Sequence, residues 1–476
     1  MQSGRDVPAV FISRERSVPL RQRIPVYEVM RMMFLIRLAD FLWNPWLLGL
    51  FLFTGAVCSF GSGFFQFFGL RTWLGATVGS LFRPQEGAGG ALTSLQALAT
   101  ALASTMGTGS IAGVATALTL GGPGAIFWMW VSALLGMMTG CVEKTLAVRY
   151  QRPVPGGGLE GGPMFYLRDG VGSRLLAGWF ALACLPATLA GGDLIQSSSI
   201  ALSLEAAFGV PRPLSGMVTA VLAGLVMVGG VGRVARVASL LVPAMALLYL
   251  GSGAVVLVLR REALPEALSL IFSCALSPAA ALGGGAGWTV ASAIRYGVAR
   301  GVFTNEAGLG TSALAHGAAK VDHPAQQGMW GIFEVALSTL LVCTVTALVI
   351  LVSEVWTPAG TLTGAPLTAA AFSCALGRMG GGIVALSLLL FAFSSILGWS
   401  YYGQQALGFL AGGRGLRTYR AVFLLCAAAG AVWEPEGIWV LVDLCNALMA
   451  LPNLAALLLL LPQAITILND WTARER

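Results

Sequence analysis

The sequence predicts an all-α polytopic membrane protein of about eleven transmembrane helices, two of them broken in mid-course. Three observations carry this. Apolar stretches recur from residue 40 to residue 467, and about 20 mostly apolar residues suffice for one crossing. Of the 476 residues, 57% are hydrophobic and 10% charged, whereas a soluble domain carries about 25% charged residues. Two of the apolar stretches, "ASTMGTGSIAG" (Ala103–Gly113) and "RGVFTNEAGLG" (Arg300–Gly310), also carry glycines and polar side chains where an unbroken helix would carry neither.

Residues 1–39 form a basic arm with seven arginines. The stretch 40–60 is long, apolar and without a small-residue cleavage site, so it reads as an extra N-terminal helix and not a secretory signal. Spans at 91–119, 123–149, 174–206, 211–230 and 235–259 make a first five-helix repeat over 91–259. Spans at 288–319, 328–353, 382–410, 418–433 and 437–467 make a second over 288–467, and 468–476 is a tail. The 62 glycines suit helices that pack closely in lipid.

Between the halves, "LPEALSLIFSCALSP" (Leu264–Pro278) is apolar but short and carries Glu266. Loop charge decides its course. If 264–282 is a non-spanning surface helix, fifteen basic residues, Lys144 among them, fall on one side and four on the other. That is the bias of a cytoplasmic face, so the C-terminus is expected in the cytoplasm and the protein in the cell inner membrane. The arginine-rich arm alone sits against the bias. The formal charge of +7 is therefore loop charge and not a sign of a nucleic-acid partner. Cys58, Cys141, Cys184, Cys343, Cys426 and Cys445 lie in apolar spans and form no CxxC pair, so they read as small buried hydrophobes. His316 and His323 are too few for an ordinary zinc site.

In lipid an unsatisfied backbone N–H or C=O costs several kcal/mol, so a broken span is tolerated only where protein or a wet cavity receives the freed groups. Gly107, Gly109 and Gly113 permit the first break, and Ser104, Thr105, Thr108 and Ser110 put hydroxyls beside it. The second break, five spans later, holds Asn305 and Glu306 with Gly308 and Gly310. Two breaks in matching positions of two five-helix halves predict an inverted-repeat transporter with a midplane site. A half-helix N-terminus presents free N–H groups, which suit a carboxylate. A half-helix C-terminus presents carbonyls, which suit a hard cation or an ammonium group. One broken helix can thus hold both ends of a zwitterion. The competing reading of the glycines is a close-packing face.

Together with "GTGSIAGVATAL", "GGPGAIFWMWV", "GGPMFYL", "FAFSSILGWSYYG" and "NALMALPNLAALLLL", these stretches resemble the alanine/glycine:cation symporters, or amino acid carrier proteins. These belong to the amino acid–polyamine–organocation superfamily, and the resemblance runs from about residue 45 to the end. It implies the leucine-transporter type of fold, a 5+5 inverted repeat behind one extra helix; a monomer without cofactor is expected. It implies import of alanine or glycine with sodium by alternating access. The substrate residues it implies are Thr108, Gly109, Ser110, Gln196, Phe303, Thr304, Asn305 and Trp399, the bulky rings limiting side-chain size above a glycine floor. The sodium residues it implies are Ser394 and Ser395, facing backbone oxygens near Ser104 and Thr105. Oxygen ligands of this kind fit a hard cation.

The departures from the family pattern are Ser110 and Asp193 where asparagines are usual, Ser338 in place of an acid, and Gln404 in place of a glutamate. They keep open a proton-coupled variant and a sensor that binds without transporting. Asp193, an ionisable group within a span, is the candidate coupling acid, suited to hold the substrate's ammonium, complete a cation site or carry a proton; its alternatives are a structural pair, for example with Arg295 or Arg300, and a place facing a wet loop. No enzyme is expected. "GGGLEG" (Gly156–Gly161) fits GxGxxG but lacks a preceding strand, and no HExxH is present.

Overall fold

The computed structural model describes residues 37–38, 41–82, 91–154, 157–277, 289–358, 360–433 and 435–474. Most of the basic arm lies outside them. Helix α1 (Pro45–Gly61) opens on a proline, whose missing N–H costs nothing in a first turn. Helix α2 (Ser94–Thr105) opens on a capping box, in which Thr93 Oγ1 accepts from the Gln96 N–H and Gln96 Oε1 accepts from the Thr93 N–H. It stops short of a crossing. The chain makes one 3-10 turn at Thr108–Ser110 and resumes as α3 (Ala112–Gly121). Helix α4 (Gly124–Arg149) returns. A two-residue hairpin, Arg152–Pro153 with Leu159–Glu160, follows where the sequence promised no strand.

Helix α5 (Arg174–Leu189) runs through a π turn at Ala190–Leu194 into α6 (Ile195–Phe208). Helices α7 (Arg212–Val228), α8 (Gly230–Leu259) and α9 (Leu264–Leu276) end the first half. At 1.5 Å per residue α9 measures about 20 Å, against a hydrocarbon core of about 30 Å. Its buried Ala267, Ile271, Cys274 and Ala275 mark its packed side, where Trp128 of α4 donates to the Ala275 carbonyl, 3.1 Å.

The second half also opens on a broken helix. Helix α10 (Val290–Asn305) is capped by Thr289 with Ser292, breaks, and resumes as the short α11 (Ser312–His316). Helix α12 (Pro324–Val335) continues through a π segment at Ala336–Cys343 into α13 (Thr344–Val352). Then come α14 (Gly364–Leu376), α15 (Arg378–Ala411), α16 (Leu416–Gly430) and α17 (Pro435–Arg474). The apolar α14 is not among the eleven expected spans; at 13 residues it is too short to cross and packs on α3 and α15.

Six helices among the described residues are long and apolar enough to cross a bilayer: Gly124–Arg149, Arg174–Phe208, Gly230–Leu259, Pro324–Val352, Arg378–Ala411 and Ile438–Arg474. Rows of exposed apolar side chains mark a lipid face, for example Leu214, Met217, Val221 and Leu225 on α7 and Leu240, Leu247 and Val258 on α8. This is a multi-pass membrane protein.

At the centre α4 packs along α12 and α10. One main-chain approach pairs Gly140 of α4 with Gly331 of α12: a Cβ on Gly331 would lie 2.6 Å from the Gly140 carbonyl oxygen. Any side chain there would force the backbones apart. One sequence expectation is corrected at this contact. Lys144 is not loop charge; it is fully buried, 3.5 Å from Glu143 and 3.4 Å from Glu334, and leaves the tally of cytoplasmic basic residues. All eight cysteines are free; of the six expected to be buried, Cys426 is only half-buried.

Candidate functional site

The first break leaves α2 without amide donors for its last carbonyls, the ordinary fate of a helix C-terminus. The last bond of α2 runs from the Met106 N–H to the Leu102 carbonyl. Hydroxyls of α15 cover what remains. Ser395 Oγ lies 3.0 Å from the Ala103 carbonyl and 3.2 Å from that of Ser104. Ser394 Oγ lies 3.1 Å from the Ala103 carbonyl and 2.8 Å from that of Phe391 in its own helix. The oxygens opposite the two serines therefore belong to Ala103 and Ser104, one residue earlier than expected.

Beyond the break the Thr108 N–H donates to Gln196 Oε1, 3.4 Å, while Gln196 Nε2 donates to the Gly191 carbonyl, 3.1 Å. Thr346 and Thr368 donate to the carbonyls of Ser110 and Ile111 at 2.8 and 3.2 Å. The side-chain oxygens of Thr108 and Ser110 are buried without a partner.

The second break turns on three residues of positive φ, Glu306 (54°), Gly308 (91°) and Gly310 (83°). Glycine adopts such angles freely; a glutamate does so at a cost, which makes Glu306 a strained position. Here the freed groups meet side chains of other helices. The Gly308 N–H donates to Glu143 Oε1, 2.9 Å, and Asn453 Nδ2 donates to the same oxygen, 2.6 Å, and to the Gly308 carbonyl, 3.0 Å. Tyr166 OH donates to Asn453 Oδ1. Thr311 Oγ1 donates to Glu306 Oε2, 2.5 Å. Lys144 bridges Glu143 and Glu334, and Glu334 also meets His316 Nε2 at 3.2 Å. The side chains of Glu143, Lys144, Glu334 and His316 are wholly buried.

Between the two breaks lies a cavity of about 370 Å³, counting space open to solvent. Six expected residues line it: Ser104, Thr105, Gly109, Gln196, Phe303 and Trp399. The Phe303 ring lies tilted 5.4 Å from that of Trp439, and Trp399 meets Tyr402 edge to face at 5.6 Å. Other expected residues stand behind the wall. Thr304 Oγ1 bonds back to the Arg300 carbonyl, and Asn305 Oδ1 accepts from the Ala307 N–H. Thr108, Ser110, Ser394 and Ser395 are likewise not among the lining residues.

Asp193 stands apart from the cavity. It is fully buried with neither carboxylate oxygen hydrogen-bonded, and it does not line the cavity. It sits in the π turn and lies toward Tyr419 and Cys426 of α16. The expected alternative partner Arg300 lies over the Trp439 ring instead. Sequence reasoning missed Gly191, Leu309, Val442 and Asn446 in the lining, and did not place Glu306 there. Asn446 opens one of the family-like stretches, and its Oδ1 is buried without a partner.

A model of the sodium:alanine symporter family matches residues 28–476. The chain belongs to that family. Among relatives of this family member, the sodium/alanine symporter AgcS of Methanococcus maripaludis is 41% identical over 427 residues, 88% of this chain and 93% of that one. A Bacillus subtilis protein named "Probable sodium/glutamine symporter GlnT" is 35% identical over 443 residues, 92% of this chain and 90% of that one. Among solved structures, a manganese transporter of Eremococcus coleocola matches with a TM-score of 0.50 at 17% identity, covering 79% of this chain and 78% of that one. At that identity the likeness speaks to the fold alone, which is that of leucine-transporter-type carriers.

Proposed function

We propose that this chain imports alanine or glycine together with sodium, as a monomer in the cytoplasmic membrane with its C-terminus in the cytoplasm. The observation that carries the reading is a single cavity bounded by both breaks, Ser104 to Gly109 on one side and Phe303 to Leu309 on the other. The free backbone at Gly107–Gly109 takes the substrate carboxylate, with Gln196 fixing the Thr108 amide. The end of α10 and the Asn446 side chain take the ammonium group. Phe303 and Trp399 leave room for a small side chain only. Thr108, Ser110, Thr304 and Asn305 act from behind the wall by shaping the two turns. Sodium sits where Ser394 and Ser395 meet the Ala103 and Ser104 carbonyls, with Ser104 and Thr105 closing the site from the cavity side.

Alternating access follows from the two halves as inverted repeats. With the short α9 and α14 set apart, their helices share one rhythm of lengths: broken, long, long, short, long. The α4–α12 glycine contact brings the second helix of each half together. An inward sodium gradient drives accumulation.

A second reading, proton coupling through Asp193, is favoured by its unpartnered buried carboxyl. An unpaired charge there would be costly, so the group carries a proton. The test is uptake of labelled alanine and glycine into proteoliposomes under a sodium or a proton gradient. Sodium-driven uptake of either substrate supports the first reading, and uptake driven by protons alone and lost in Asp193→Asn supports the second. Uptake indifferent to both gradients sinks both.

A further inference from the structure

We infer that Glu306 is a proton-binding site in the cavity wall, holding a proton that leaves when sodium occupies the cavity. The inference rests on the proposed sodium-coupled reading. Its first support is charge balance. Glu143, Glu306 and Glu334 gather round Lys144 within the bundle. Gln327 Nε2 donates to His316 Nδ1 at 2.6 Å, so His316 is neutral and offers only its Nε2–H, to Glu334. With every carboxyl ionised the group would hold two uncompensated negative charges, and carboxylates in a low dielectric do not ionise together. At least one acid is protonated.

Hydrogen bonding selects which. Glu143 accepts from the Gly308 amide and Asn453 and lies beside Lys144. Glu334 lies beside Lys144 and accepts from His316. Each of these carboxylates has the Lys144 cation and at least one hydrogen-bond donor beside it. Glu306 has the Thr311 hydroxyl alone among the described residues. It also borders the cavity, where a proton can exchange with water, and Glu143 and Glu334 do not. The other titratable groups facing it are Cys184 on α5 and Tyr402 on α15, neither of which supplies a positive charge.

Ser104 and Thr105, which close the proposed sodium site, line the same cavity as Glu306. When sodium arrives, the Glu306 O–H bond breaks, the proton passes to cavity water, and the carboxylate remains. The total charge of the cavity is unchanged by the exchange.

The experiment adds sodium chloride, with choline chloride as control, to purified protein in weak buffer. It records the pH change and the infrared band of the protonated carboxyl. We expect wild type to release up to one proton per chain and lose that band, and Glu306→Gln to do neither. Thr311→Val removes the donor to the carboxylate, so half-release needs roughly tenfold more sodium. Glu306→Gln that misfolds leaves the Thr311→Val shift as the deciding measurement. Three results overturn the proposal: no release from wild type between about pH 5 and pH 9, the same release from Glu306→Gln, or release lost in Asp193→Asn only. Alanine binding is measured on the same samples by calorimetry. Its absence in wild type sinks the transport reading and leaves the sodium–proton result to be judged separately.

Discussion

Replacing Ser395 by alanine isolates the proposed cation site from the rest of the fold. The hydroxyl lies 3.0 Å from the Ala103 carbonyl and 3.2 Å from that of Ser104, but its single proton serves one at a time. Ser394 also reaches the Ala103 carbonyl, so the Ser104 carbonyl is the group left bare. Without the ion the substitution removes one neutral hydrogen bond, about 1 kcal/mol. With sodium bound it removes an oxygen facing a full charge, about 1.5–3 kcal/mol. The difference, roughly 0.5–2 kcal/mol, weakens sodium about 2- to 30-fold. The assay is thermal unfolding in detergent across a sodium titration, with choline holding ionic strength. At 100 times the dissociation constant, sodium stabilises the wild type by about 2.7 kcal/mol; a tenfold weaker site retains about 1.4 kcal/mol at the same concentration. Ser394→Ala is expected to do less, because that hydroxyl is already engaged by the Phe391 carbonyl at 2.8 Å. A Ser395→Ala protein whose sodium midpoint moves less than twofold refutes the assignment. So does an equal effect of Ser394→Ala.

Three further outcomes are expected. In Gly109→Ala the new Cβ would lie 3.0 Å from Phe303 Cδ1 and 3.4 Å from Thr304 Oγ1, which presses the ring into the cavity; competition binding should show alanine losing at least tenfold more affinity than glycine. Lys144→Met leaves Glu143 and Glu334 without their shared cation, and removing one partner of a buried pair costs about 3–5 kcal/mol; a lower melting temperature at unchanged expression checks it. In the π turn Tyr166–Gly170 between α4 and α5, Arg168 donates to Asp169 and Arg152 lies 2.9 Å away, which holds its carboxyl below the usual range. A depressed folded value means a contribution present above about pH 3.9 and lost as pH falls through the folded value. Asp169→Asn should therefore cost up to about 1 kcal/mol near neutrality, with the two melting curves converging in acid.

Both breaks were legible because glycine and small polar residues inside an apolar run contradict an uninterrupted span, and the structure puts them at Met106–Ile111 and Glu306–Thr311. Phe303 and Trp399 were legible through the family likeness. Val442 and Asn446 were not, because α17 reads as uniformly apolar and only packing shows which side meets the cavity. Lys144 was misread because it lies near the end of an apolar run, where sequence alone resembles a loop flank. Asp193 was found as an acid in a span but its direction was not. A π turn inserts one residue and rotates the side chains beyond it by about 100°, and no propensity in "AGGDL" announces it. The short α14 escaped because a search for crossing lengths passes over 13 residues.

The meeting of Gly140 and Gly331 has a mechanical consequence. Two helices touching main chain to main chain, and riveted one turn away by Lys144, cannot slide without tearing an ion pair from its burial. They must travel as one rigid strut. Whatever rocking admits substrate is then taken up elsewhere, by α5, α6 and α15 on the far wall and by the two unwound joints, so cross-linking α4 to α12 should leave transport intact while fastening α2 to α15 should stop it.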